Sequence, residues 1–197
     1  MSASVKSGAN TIERFTIQIA DKGEILTLDY AGARASHRGD AWWGVAVGFR
    51  AMQVAAEELS RARLWDRDEL AVVSGHPGPG VRDAINYVTR CVERRQFSLL
   101  EELADKTMCS SDMKYEWWLS DGQTAVAVKL RSDFVPEQFY ELLGRLGSQQ
   151  EQAKDRSQFD GLKSDLESLI WREPLTASFR AESLPVSKAH ETARRMP

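Results

Sequence analysis

The chain has 197 residues, 42% of them hydrophobic and 28% charged, with a formal net charge of −3. That length supports one good-sized core plus an appendage, and the composition is that of an ordinary globular protein. The slightly acidic balance supplies no global field to recruit nucleic acid or an anionic membrane, and no apolar run approaches the roughly 18 residues of a membrane span.

The leading segment, Met1 to Asn10, lacks the apolar stretch of a signal peptide and reads as a short flexible leader. Alternation of Phe15, Ile17 and Ile19, a turn at Asp21 to Glu24, and alternation of Leu26, Leu28 and Tyr30 predict a hairpin. Ala31 to Ala35 reads as a loop of small residues. Apolar periodicity then predicts a helix from Trp43 to Arg63, with Gly44 and Gly48 on one face. Two glycines in a helix interior, each costing about 1 kcal/mol against alanine, call for close approach of another element or a ligand; helix-on-sheet packing is the structural expectation.

Glu69 to Ser74 reads as a short buried strand that ends in the turn-rich run Gly75 to Gly80, and a second helix starts at Val81. Strand, glycine-rich loop and helix can expose backbone N–H groups to an anion, although no Gly-Lys-Ser/Thr closes the loop. Arg90, Arg94 and Arg95 form a polar cluster, by default a solvated face. Phe97 to Ala104 fits a strand end or a short helix. Tyr115 to Leu119 and Thr124 to Arg131 flank an Asp-Gly turn and form a hairpin in which Trp117 and Trp118 face opposite sides. Asp133 is expected to cap a helix with Pro136 in its first turn, carrying Phe139, Leu142, Leu143 and Leu146 until Gly147. Gln158 to Trp171 repeats the helical spacing. Beyond Pro174 the chain reads as a polar tail, or an arm that lies on another subunit.

Two cysteines, Cys91 and Cys109, and three histidines, His37, His76 and His190, show no metal-ligand spacing. Reduced thiols in a cytoplasmic protein are the expectation. The chemically richest stretch runs from His37 to Arg50. It gathers His37, Arg38, Asp40, Trp42 and Trp43 at the start of the first long helix, where unpaired N–H groups and the positive dipole end favour a ligand. His76, Arg82 and Asp83 stand at the start of the next helix. A histidine titrating near neutrality can serve as general base, a carboxylate can orient it, and arginine can hold an anion. Here His37 or His76 would be the base, Asp40 or Asp83 its partner, and Arg38 or Arg82 the anion holder.

The order of elements, with Gly39, Gly44, Gly48 and Arg50 in the first motif region, Asp83, Ala84 and Ile85 in the second and Cys91 in the third, resembles the FmdE family, named for a component of formylmethanofuran dehydrogenase. The resemblance spans roughly residues 27 to 131. It implies an α+β fold, a mixed or antiparallel sheet with helices packed on it. A core over residues 1–147 would carry the N-terminal hairpin, and residues 148–197 would add a helix and an extended tail. It also implies a homodimer. The family's two motif histidines and its cysteine are replaced here by Arg38, Asp40 and Trp42, and a second cysteine by Gly80. Asp40 and Cys91 alone make a poor zinc site, so no metal or other cofactor is expected.

Trp42 and Trp43 can either line a site for a planar or charged organic molecule or fill the space a metal would occupy. The primary expectation is a metal-independent domain that binds, and as one option transforms, a small anionic or planar organic molecule between the 37–43 and 75–83 loops. Its catalytic candidates are His37, Asp40, His76 and Asp83; its ligand-binding candidates are Arg38, Trp42, Trp43, Arg82 and Cys91. The alternative is a non-catalytic accessory or interaction subunit with a vestigial pocket, its partner contact made by the helix and tail after Gly147. A third reading is a haem- or metal-binding protein using His37, His76 or Cys91. No nucleic-acid or membrane partner is expected.

Overall fold

The computed structural model describes residues 15–185. The leader and the last part of the predicted tail, with His190, lie outside the described residues. The alternating apolar residues form β1 (Thr16–Asp21) and β2 (Glu24–Asp29), joined through Lys22 and Gly23, both at positive φ. That backbone hand matches the twist of a two-residue hairpin. Ile17 and Ile19 are buried while Leu26 and Leu28, opposite them, are half-buried.

Ala31 to Ala35 is helical, contrary to the loop expected from its small residues. Helix α1 (Tyr30–Ser36) starts directly from β2, because the Asp29 carboxylate accepts from the Gly32 N–H at 2.6 Å. A capping carboxylate and an alanine-rich turn outweigh one glycine.

Helix α2 (Trp42–Leu59) is the centre of the molecule. From Trp43 to Ala55 every residue is buried, as expected for a helix apolar on nearly all sides. It stops at Leu59, four residues short of the predicted end, where Ser60 closes the last turn onto the Ala56 carbonyl. Strand β3 (Ala71–Ser74) and helix α3 (Pro79–Thr89) follow. Between α2 and β3, Arg67 is buried and donates to the Val88 and Tyr87 carbonyls, each at 2.8 Å, and to Asp21 at 2.9 Å. One guanidinium thus ties the hairpin to the carbonyl end of α3, where a cation is favoured.

The remaining strands are β4 (Phe97–Leu99), β5 (Glu116–Ser120), β6 (Ala125–Leu130) and β7 (Phe179–Leu184). They form a five-stranded mixed sheet in the order β4-β3-β5-β6-β7, with only β3 and β4 parallel. The fold is α+β, as expected. Phe97 to Ala104 turns out to be both candidates in succession, β4 and a single 3₁₀ turn at Glu101–Leu103. Trp117 is buried in the core and Trp118, on the opposite face, is half-exposed.

Helices α4 (Glu137–Arg145) and α5 (Asp155–Arg172) form a hairpin, and α5 packs on α2. Asp133 does not cap α4. It pairs with Arg131 at 2.6 Å, while Pro136 occupies the cap position. The largest departure concerns the tail. A short α6 (Leu175–Ser178) leads into β7, which pairs with β6 along its whole length from Leu130↔Phe179 to Ala125↔Leu184. Residues 179–184 are therefore part of this chain's own sheet and not an arm lying on another subunit. Phe179, an isolated apolar point in the sequence, is a core residue.

Candidate functional site

The first turns of α2 and α3 lie side by side, so the two predicted loops do meet. They meet backbone to backbone. A Cβ at Gly80 would stand 2.2 Å from the Ala41 carbonyl oxygen and 3.0 Å from the Val45 nitrogen. A Cβ at Gly44 would be 3.2 Å from the Val81 nitrogen, and one at Gly48 would be 3.1 Å from the Ala84 Cβ and 3.2 Å from the Val81 Cα. Gly44 and Gly48 therefore serve helix-on-helix packing against α3, not the expected packing on a sheet.

His37 and Asp83 are brought together: Nδ1 of the imidazole is 2.7 Å from Oδ2 of the carboxylate. The other ring nitrogen, Nε2, accepts the Ala41 N–H at 3.3 Å, just ahead of α2. A base needs a free lone pair directed at substrate. Both nitrogens of His37 are committed, one to α3 and one to the backbone that opens α2.

His76 is buried, and its Nδ1 accepts the Gly78 N–H at 3.0 Å. The ring proton of the neutral form therefore sits on Nε2. Burial pushes its pKa down to about 3. It packs 4.7 Å from the Tyr115 ring. Desolvation disfavours the imidazolium that a general base must become.

Trp43 is 2% exposed, donates from its indole N–H to the Tyr115 hydroxyl at 3.0 Å, and stacks parallel on Phe134 at 5.9 Å between centroids. Trp42 is half-buried under α5, with Nζ of Lys163 3.8 Å from its ring centroid. Lys163 is itself buried, donates to the Asp40 carbonyl at 3.0 Å and pairs with Asp160 at 2.8 Å. A desolvated cation over tryptophan is worth about 2 kcal/mol. Arg38, Asp40 and Arg82 are exposed at the rim, with the Asp40 carboxylate 91% accessible.

Cys91 does not join this group. It lies past the far end of α3, buried, its thiol directed at the Leu70 carbonyl at 3.2 Å with Arg94 3.6 Å away. The residue that does reach the helix starts is Cys109, which sequence reasoning passed over. Its Sγ and the His76 Cε1 each lie 2.6 Å from where a Cβ of Gly78 would stand. Burial raises its thiol to about 11, so it is protonated at neutral pH and not an activated nucleophile. Tyr115 and Lys163 were also missed. Neither has a local signal, since both come from distant segments.

Among the described residues, no three His, Cys, Asp or Glu side chains come together to hold a metal ion. Asp40 and Cys91 stand at opposite ends of α3 and do not form a donor set. The chain's sequence matches no protein-family model and no characterised protein.

Proposed function

We propose that this chain is a non-catalytic interaction domain, an accessory subunit whose helix-start cluster serves as a structural junction. The observation that carries the reading is the burial of Trp43. Its indole stacks on Phe134 and donates to the Tyr115 hydroxyl, so at the start of α2 this side chain is packed into the core and presents no face to a ligand. The acid–base candidates support the same reading. His37 has no free lone pair, His76 is desolvated, and Asp40 is solvated with no histidine partner among the described residues. Fold alone does not specify an activity, so the residues at the site decide. The FmdE-like resemblance fits a member in which tryptophan and glycine contacts replace the metal ligands. Residues after Gly147 build α5 and β7, so they contribute to the domain before they are available to a partner. A homodimer remains part of the proposal on the strength of that resemblance, as does a cytoplasmic location.

A second reading keeps a small anionic or planar molecule at the rim. It is favoured by one observation, the partly exposed Trp42 ring with two cations already over it, Arg34 at 6.0 Å and Lys163 at 3.8 Å. Native mass spectrometry of the purified chain separates the two. The junction reading expects no retained small molecule, and the same spectrum for Asp40→Ala. A bound small-molecule mass that disappears in Asp40→Ala or Trp42→Ala would replace it with the rim reading.

A further inference from the structure

Strand β7 is paired on one edge only. Arg131 donates its backbone N–H to the Ser178 carbonyl at 2.8 Å, which makes 131/178, 129/180, 127/182 and 125/184 the hydrogen-bonded pairs of the β6–β7 ladder. The backbone groups of Arg180, Glu182 and Leu184 therefore face β6, and those of Phe179, Ala181 and Ser183 face outward. Among the described residues, none hydrogen-bonds to these outward groups. Pairing runs one-to-one from Phe179 to Leu184 without a bulge, and Pro185 comes only after the last paired residue. Of the devices that usually blunt a strand edge, only charge is present.

Those charges are arranged about Ala181. Arg180 and Glu182 are exposed, on the sheet face that carries Lys129 and Trp118. Arg180 stands directly opposite Lys129, a like charge, and Lys129 is already paired with Glu116 at 3.2 Å. Glu182 stands opposite Ala127. Among the described residues neither Arg180 nor Glu182 has an ion-pair partner, so an anion for the one and a cation for the other have to come from beyond the free edge. A second β7, antiparallel about a two-fold axis, matches outward groups to outward groups only in residue-centred registers. Centred on Arg180, arginine meets arginine; centred on Glu182, glutamate meets glutamate. Centred on Ala181, Arg180 meets the partner's Glu182, and Glu182 meets the partner's Arg180. These fall in non-hydrogen-bonded pairs, where side chains lie closest. On the helix side Ala181 and Ser183 are small and exposed, so no described residue covers the edge there.

Resting on the homodimer of the interaction-domain reading, we propose that two copies of this chain join β7 to β7 in the Ala181-centred register, so that one sheet runs through both. The two reciprocal contacts between Arg180 and the partner's Glu182 set the register and select a second copy as the occupant, because the charge order is complementary to itself. An edge of six residues is smaller than a standard interface, so the dimer is expected to dissociate on dilution, with a Kd roughly in the micromolar range or above.

Sedimentation equilibrium of the full chain, in a concentration series up to about 1 mM, reads the association. The parent chain is expected to be a mixture of monomer and dimer. Arg180→Glu leaves two acids on the strand and Glu182→Arg two bases, so each variant repels its own copy and is expected to dimerise at least about tenfold more weakly. Both side chains are exposed, and the unfolding midpoints are expected to stay close to that of the parent chain. An equimolar mixture of the two variants sets acids against bases and is expected to recover association as a mixed dimer. The double variant Arg180→Glu/Glu182→Arg is expected to recover it alone. A parent chain that stays monomeric throughout would overturn the proposal and the homodimer with it, leaving the charges as protection of the edge. A dimer that both single variants keep at the parent's strength would overturn the β7 interface alone, with the homodimer standing on another surface. Single variants that weaken association and do not recover it when mixed would also overturn it, since the two charges would then not be each other's partners. None of these outcomes depends on whether a small molecule is retained at the helix starts.

Discussion

His76 is kept neutral by burial, with its pKa lowered to about 3 against about 6.5 in an unfolded chain. Between those values the unfolded state binds the extra proton, so stability falls as pH drops from about 6.5 toward 3, by up to about 1.4 kcal/mol per pH unit. His76→Gln keeps a polar side chain of similar length and cannot titrate. The expected result is that denaturant midpoints of the parent chain decline between pH 6.5 and 4.5 while those of His76→Gln stay flat. Parallel profiles would show that the imidazole is hydrated. Asp21 and Asp155, held low by hydrogen bonds from Arg67 and Arg145, add their own loss at more acidic pH in both proteins. Part of this was legible in the sequence. His76 was recognisable as a candidate from its turn-rich context, but its burial was not, because Tyr115 and Cys109 arrive from segments some thirty or more residues away.

At the scale of elements, the α2–α3 contact is set by glycines. Gly80→Ala would place a methyl group against the Ala41 carbonyl, a backbone atom that cannot move without shifting α2. A loss of about 3 kcal/mol is expected in chemical unfolding. Gly161, inside α5, has nothing within 4 Å of an added Cβ, and Gly161→Ala is expected to stabilise by about 1 kcal/mol through helix propensity. Equal effects at the two positions would remove the close-packing account. The spacing of Gly44 and Gly48 showed that something approaches α2, since glycine is costly there. It did not say what, because a glycine records an absence of side chain and not the identity of its neighbour. The hairpins, by contrast, were plain from alternation and turn residues. Helix α1 was missed because its determinant is a cap, Asp29, placed at the end of a strand.

For the whole molecule, the C-terminal third matters more than its composition suggests. Polar spacing hid β7, whose residues between Phe179 and Leu184 are exposed on an edge strand and so carry little apolar signal. Helix α5 lays Lys163 over Trp42 and grips the Asp40 carbonyl, while Tyr30 donates to Glu167 at 2.5 Å. The segment after Gly147 thus covers the helix-start cluster and fixes the hairpin. The 37–43 and 75–83 stretches, paired in the sequence reading, do lie against each other. Sequence alone did not show that Lys163 packs over Trp42, or that Tyr115 and Phe134 pack against Trp43.

Whether those helix starts are a junction or a binding site is tested most directly by the stability of Trp43→Ala. Side chains that line functional pockets are commonly neutral or even costly to stability, so removing them leaves the fold intact or firmer. A buried tryptophan in a packed junction costs about 3–5 kcal/mol when truncated to alanine. The account predicts a loss in that range by urea unfolding, with an unchanged slope. A midpoint equal to or above that of the parent chain would contradict it and return the cluster to the class of ligand sites.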